Sequence, residues 1–169
     1  MKKLLAVAVL LAAVSLPSMA ATSPIKLSLW GPIAWPAQDV AIKGLDLGIG
    51  STTNDMTGLQ FNFIYSEAKN LTGVQLGLVN QVDNGEGLQW GALNIATGHF
   101  SGVELGLVNW TGSVTGAQLG WVNYTDKLNG FQLGLVNYAG SIGEGLQIGL
   151  VNFAQNGWFP VMIIVNGRF

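Results

Sequence analysis

Few residues in this chain could do reactive chemistry. Its 169 residues include one His and no Cys. That removes a thiol nucleophile, a thiolate metal site and a disulfide framework. Any His–carboxylate relay is left with one centre, His99, and Glu104 follows it closely in sequence. Hydrolysis by such a pair also needs a nucleophile and a group to orient the base. Ser101 and Ser113 are near only in sequence. The glycines lie in strand-like segments and open no helix, so no phosphate loop is present. The expectation is a non-enzymatic protein with no catalytic residue, no metal site and no cofactor. A hydrolase built on His99 and Glu104 is the least favoured reading.

The chemistry that does recur is that of side-chain amides. Asn80, Asn94, Asn109, Asn123, Asn137 and Asn152 recur at one repeat position, and Gln60, Gln75, Gln89, Gln118, Gln132 and Gln147 at another. If the repeats stack in parallel, each set becomes a ladder whose amides bond from layer to layer and bridge backbone groups at a bend. Glu104 takes the Gln place between Gln89 and Gln118. It reads as a solvated acid on an exposed column, where its charge discourages edge pairing. Trp110, Tyr124, Tyr138 and Phe153 each follow a ladder Asn. They read first as a packing ladder; as a binding column they would take glycans or chain-like ligands by stacking.

The elements that must position these groups follow from the repeat. Units begin at Gly44, Gly58, Gly73, Gly87, Gly102, Gly116, Gly130 and Gly145, always 14 or 15 residues apart. The consensus is Gly, apolar, Gln, apolar, Gly, apolar, apolar, Asn, as in GFQLGLVN from Gly130. The first two units are degenerate, as end units of an array are expected to be. Within a unit, Phe131, Leu133 and Leu135 alternate with Gln132, Gly134 and Val136. Period two predicts a β-strand, and the unit is too short and Gly-rich for a helix. Turn residues such as Thr-Asp-Lys at 125–127 then lead to one more apolar residue, here Leu128. Each unit therefore predicts one strand, a bend at the Asn, and a short second strand or turn.

Two all-β architectures can use this unit. The first is a short β-solenoid with 14–15 residues per coil, stacked ~4.8 Å apart. The second is a small up-and-down outer-membrane β-barrel of about 10 strands. The apolar character of the chain and its Phe-terminated final strand favour the barrel. The width of its lipid face does not. Positions 2, 4 and 6 of a unit span only ~13 Å, against an apolar band ~25 Å tall. The solenoid is the preferred reading.

Residues 1–20 predict a signal peptide. Lys2 and Lys3 precede the apolar run Leu4 to Val14, and Ser18-Met19-Ala20 offers small residues at a cleavage site. The run is shorter than the ~20 residues that cross a bilayer. Residues 21–43 form an N-terminal strand or cap segment, 44–157 the array of eight units, and 158–169 a C-terminal capping strand. Five Lys/Arg remain after residue 20 against nine Asp/Glu, a formal charge of −4. With no basic stripe, nucleic acid is not an expected partner. A chain 49% hydrophobic and 9% charged is not disordered either.

The array resembles a family of exported Gram-negative surface-repeat proteins of unknown biochemical role, built from Gly-apolar-Gln-apolar-Gly-apolar-apolar-Asn units. The residues that carry the resemblance are these units together with WGPIAWP (Trp30 to Pro36), GLDLG from Gly44 and GLQFNFIY from Gly58. The likeness covers most of the chain after residue 20. It implies a cell-envelope or surface location, with no activity or functional residues to carry over. A weaker likeness is to curli-type amyloid repeats, whose Gln-x-Gly-x-x-Asn-x-Ala spacing fits Gln132, Gly134, Asn137 and Ala139. The expected location is periplasm, outer membrane or cell surface, with a structural or interaction role. Self-association or membrane contact is expected from the exposed apolar positions.

Overall fold

The computed structural model describes residues 22–169. The segment expected to be a signal peptide lies outside the described residues. Nine strands follow in order: β1 Thr22–Trp30, β2 Ile33–Trp35, β3 Ala41–Leu76, β4 Val79–Trp90, β5 Leu93–Leu105, β6 Val108–Leu119, β7 Val122–Leu133, β8 Val136–Ala154 and β9 Val161–Arg168. They make one sheet in the order β2-β1-β3-β4-β5-β6-β7-β8-β9.

Between β1 and β8 every pairing is parallel, and from β3 onward the register is one repeat unit. Asn109 lies over Asn123, Gly116 over Gly130 and Gln118 over Gln132. The same alignment puts Gln75 over Gln89 and Asn123 over Asn137. The protein is a β-solenoid. A closed up-and-down barrel is ruled out, since its neighbouring strands would be antiparallel and its sheet would have no ends. This sheet has two ends, and each is covered by a chain reversal: β2 runs back along β1, and β9 runs back along β8. β2 and β9 are thus the edge strands, and they run against the direction of the stacked coils.

The bend is not at the Asn. Strands break at Gly77–Leu78, Gly91–Ala92, Gly106–Leu107, Gly120–Trp121 and Gly134–Leu135, and Asn80, Asn94, Asn109, Asn123 and Asn137 each lie just inside the next strand. The second glycine of the unit explains this. A Cβ at Gly120 would fall 2.8 Å from Asn109 Nδ2 and 3.1 Å from Asn123 Oδ1. Only Gly leaves room at the bend for the two amides that line its inner side. The first glycine serves differently. Gly102 holds φ at +140°, and a Cβ there would overlap the Gly87 carbonyl oxygen one coil away.

The bend also shifts the alternation. Leu135 and Val136 are both exposed, so Val136 does not share a side with the buried Gln132. The interior has two halves. One is filled by the Gln and Asn amides. The other is filled by apolar side chains from the return segments, including Val82, Phe100, Val114, Leu128 and Ile142, with Ala96, Ala139 and Ala154 beside them.

Candidate functional site

The two amide columns are continuous along the interior, and every Asn and Gln in them is fully buried. In the Asn column, Asn80 Nδ2 donates to Asn94 Oδ1 at 2.9 Å. Asn94, Asn109, Asn123 and Asn137 each repeat the bond toward the C-terminal end, at 2.8 Å. The second N–H of Asn94, Asn109, Asn123 and Asn137 goes to a backbone carbonyl at the next bend, of Leu105, Leu119, Leu133 and Ile148 respectively.

The Gln column donates the opposite way. Gln147 bonds Gln132 at 2.8 Å, and Gln132 bonds Gln118 at 2.7 Å. Gln118 then donates to Glu104 Oε2 at 2.9 Å. A second run goes from Gln89 to Gln75 to Gln60, and Gln60 Nε2 ends it on Asp46 Oδ2 at 2.9 Å. Each run of three glutamines thus terminates on a buried carboxylate. The polarity has a chemical reason: an amide both donates and accepts, so it can pass the ladder on, whereas an ionised carboxylate only accepts and stops it.

Glu104 is therefore not a solvated acid on an exposed column. It is fully buried, because the Gln place faces the interior. Thr111 Oγ1 donates to its Oε1 at 2.5 Å. Burial raises its pKa to about 7, against the pull of the hydrogen bonds from Thr111 and Gln118. His99 is exposed on the outside, with Nδ1 3.4 Å from Ser113 Oγ. The two groups lie on opposite sides of the coil wall and do not meet. Among the described residues no group of three or more His, Cys, Asp or Glu is placed to hold a metal ion.

Sequence reasoning missed the polar cluster at the N-terminal end. Lys26 pairs in register with Asp46, so both stand in the Gln column. Lys26 Nζ donates to the Thr52 carbonyl at 2.6 Å and to Thr53 Oγ1 at 3.0 Å, and Thr53 Oγ1 donates to Asp46 Oδ2 at 2.9 Å. Burial lowers the Lys26 pKa, and the Asp46 charge opposes that shift. The signal was present in GLDLG, where Asp46 takes the Gln place. For Glu104 the hydroxyl partner Thr111 carried no such signal, because Thr125 holds the same place in the next coil.

The aromatic column is outside. Tyr124 and Tyr138 stack with centroids 4.8 Å apart and planes 2° apart, and Trp110 joins at 5.0 Å and 47°. Phe153 has the equivalent place in its coil, but among the described residues no ring stacks on it. Tyr124 Oη donates to Asp126 Oδ1 at 3.0 Å, a bond that holds the phenol pKa above its usual value.

Comparison of the chain with protein-family models, with curated proteins and with solved structures found no match.

Proposed function

We propose that this chain is an exported repeat protein of the Gram-negative cell envelope or surface, acting without catalysis as a structural or interaction element. The supporting observation is the distribution of its side chains. Hydrogen-bonding amides are sealed inside, and large apolar groups face outward. Catalysis would require reactive groups to converge where substrate can reach them, yet His99 is outside and Glu104 inside. What the outside offers is surface, repeated coil after coil at a fixed spacing. Residues 1–20 have the charged start, short apolar run and small-residue end of an export signal.

The test is localisation of the full chain in a Gram-negative cell, with N-terminal sequencing of the mature protein. Recovery in periplasm, outer membrane or medium, with cleavage after Ala20, supports the reading. Uncleaved protein confined to the cytosol contradicts it.

A further inference from the structure

We propose that the solenoid lies on a lipid bilayer, with two of its walls and the bend between them in the acyl region and its third wall in water. This deepens the envelope reading and relies on it only for the presence of a membrane.

The six coils from Gly73 onward present five outward columns, at positions 2, 4, 6, 7 and 9 of the unit. None of those residues is charged, and polar side-chain atoms other than the Trp110, Trp121 and Trp90 indoles occur only in column 9, at Gln81, Tyr124 and Tyr138. Column 6, on the bend, is the most prominent: Leu78 is 55% exposed, Leu107 48%, Trp121 63%, Leu135 48% and Leu150 66%. The exposed charges of these coils, Asp83, Glu86, Asp126, Lys127 and Glu144, all lie in the return segments between column 9 and the next Gly. The solenoid is amphipathic around its axis, as an interfacial helix is, with each face far broader.

The backbone is suited to this setting. Lipid excludes structures with unpaired backbone polar groups. Here the N–H and C=O groups of the coils bond along the axis to the coils above and below, so the lateral walls present side chains only. The chain's tryptophans are exposed too. All six are at least 44% exposed, whereas a water-soluble protein usually buries most of such a ring. Trp and Tyr favour the boundary between acyl chains and headgroups. Column 9, with Trp110, Tyr124 and Tyr138, occupies that boundary, while Trp90 and Trp121 lie deeper; the Tyr124 hydroxyl bonds toward the charged wall at Asp126.

A second copy of the chain fits this surface less well. A two-fold contact covers one patch with its equal, but this apolar surface turns a corner, so docking on either wall leaves the other wet. Lipid conforms to both. The chain after residue 20 is acidic overall, so attraction to anionic headgroups is not the driving force, and binding should persist at high salt.

The experiment uses the mature protein and dioleoylphosphatidylcholine vesicles, read by flotation and by tryptophan emission. The wild-type protein should float with vesicles in both 0.1 M and about 1 M salt, with a blue shift and quenching by brominated acyl chains. Leu107→Asp with Leu135→Asp, both exposed and therefore compatible with folding, should lower vesicle partition at least tenfold. Thr115→Asp with Ser141→Asp, the same added charge on the return wall, should leave partition unchanged. Equal loss in both pairs overturns the assignment. So does a wild-type protein that stays with the aqueous fraction, whether as a monomer or as a dimer formed without lipid. If vesicle binding fails while the cellular protein is still found in the envelope, the lipid assignment falls alone. If the protein binds vesicles but is never exported, the envelope reading falls instead.

Discussion

Glu104 lies in register with Gln89, yet the buried Gln89 Oε1 receives a hydrogen from no described donor. At the other rungs between Gln60 and Gln132 the next coil supplies an amide N–H; here it supplies a carboxyl. An ionised carboxylate facing that oxygen has nothing to donate, whereas a protonated one has an O–H. Both Glu104 oxygens already accept, from Thr111 and Gln118, so only a protonated Glu104 has a hydrogen to offer on the Gln89 side.

Stability should therefore fall as pH rises. Burial raises the Glu104 pKa to about 7 in the folded protein, above the ordinary carboxyl value of 4.5. The folded state holds the proton more tightly than the unfolded chain. This contribution is fully present below about 4.5 and is lost as pH rises through about 7. Its size is on the order of 3 kcal/mol. Glu104→Gln supplies a permanent N–H to Gln89, so the variant should exceed wild type in stability at pH 8 and match it near pH 5. Urea denaturation at the two pH values checks this. A wild-type protein as stable at pH 8 as at pH 5 would remove the neutral rung from the account.

Asn123→Ala should cost about 1–3 kcal/mol, because its partners stay buried and lose their bonds. Asn137 Oδ1 and the Leu133 carbonyl each lose a donor, and Asn109 Nδ2 loses an acceptor. Thermal and chemical denaturation measure it. A neutral Asn123→Ala would mean that the column contributes nothing beyond packing.

Gly102→Ala should be more damaging than a loop substitution of equal size. The position combines φ of +140° with overlap between the new Cβ and the Gly87 carbonyl oxygen. A loss above about 3 kcal/mol, or failure to fold, is expected. Ser113→Ala, on the return wall, should change stability by less than about 0.5 kcal/mol. Denaturation midpoints for the pair decide it, and equal midpoints would contradict the glycine argument.

Much of this was legible in the residues and some was not. The constant spacing of Gln and Asn implied in-register parallel stacking, because only then does an amide meet its counterpart. Period-two alternation gave strands for the same units. Which side faced inward was not legible. Leu133 and Gln132 alternate identically whichever side is the core, and apolar residues ordinarily face in. Here the amides do, because the ladder gives nearly all of them partners from coil to coil, the oxygens of Asn80, Gln89 and Gln147 being the exceptions. The burial of Glu104 is hidden for that reason: an acid in a column of unknown facing reads as solvated. The sequence points to a bend at Asn123 rather than Gly120 because Asn is itself a turn former. The side-chain space that fixes Gly at the bend exists only after coils stack. The Lys26–Asp46 pairing crosses a degenerate part of the repeat, where no consensus reveals register.

Removing residues 116–129 should leave a folded, shorter solenoid. Gly116 is in register with Gly130 and Gln118 with Gln132, so joining Thr115 to Gly130 sets Gln132 next to Glu104 and keeps every column in step. Stability in such arrays is a sum of nearest-neighbour terms, and one term is lost. Circular dichroism should retain the strand signal, with a lower denaturation midpoint. Collapse of the signal would argue against independent coils.

The most direct test is of which side faces in. The chain has no Cys, so a single introduced thiol reports one position. In dilute aqueous buffer without lipid, Leu133→Cys and Leu135→Cys should react with a water-soluble maleimide at nearly the rate of an unfolded chain. Gln132→Cys and Asn137→Cys should react at least about 100-fold more slowly, reaching the fast rate only in denaturant. Rapid labelling at Gln132 and Asn137, with protection at Leu133 and Leu135, would mean that the amides face water and the apolar groups form the core.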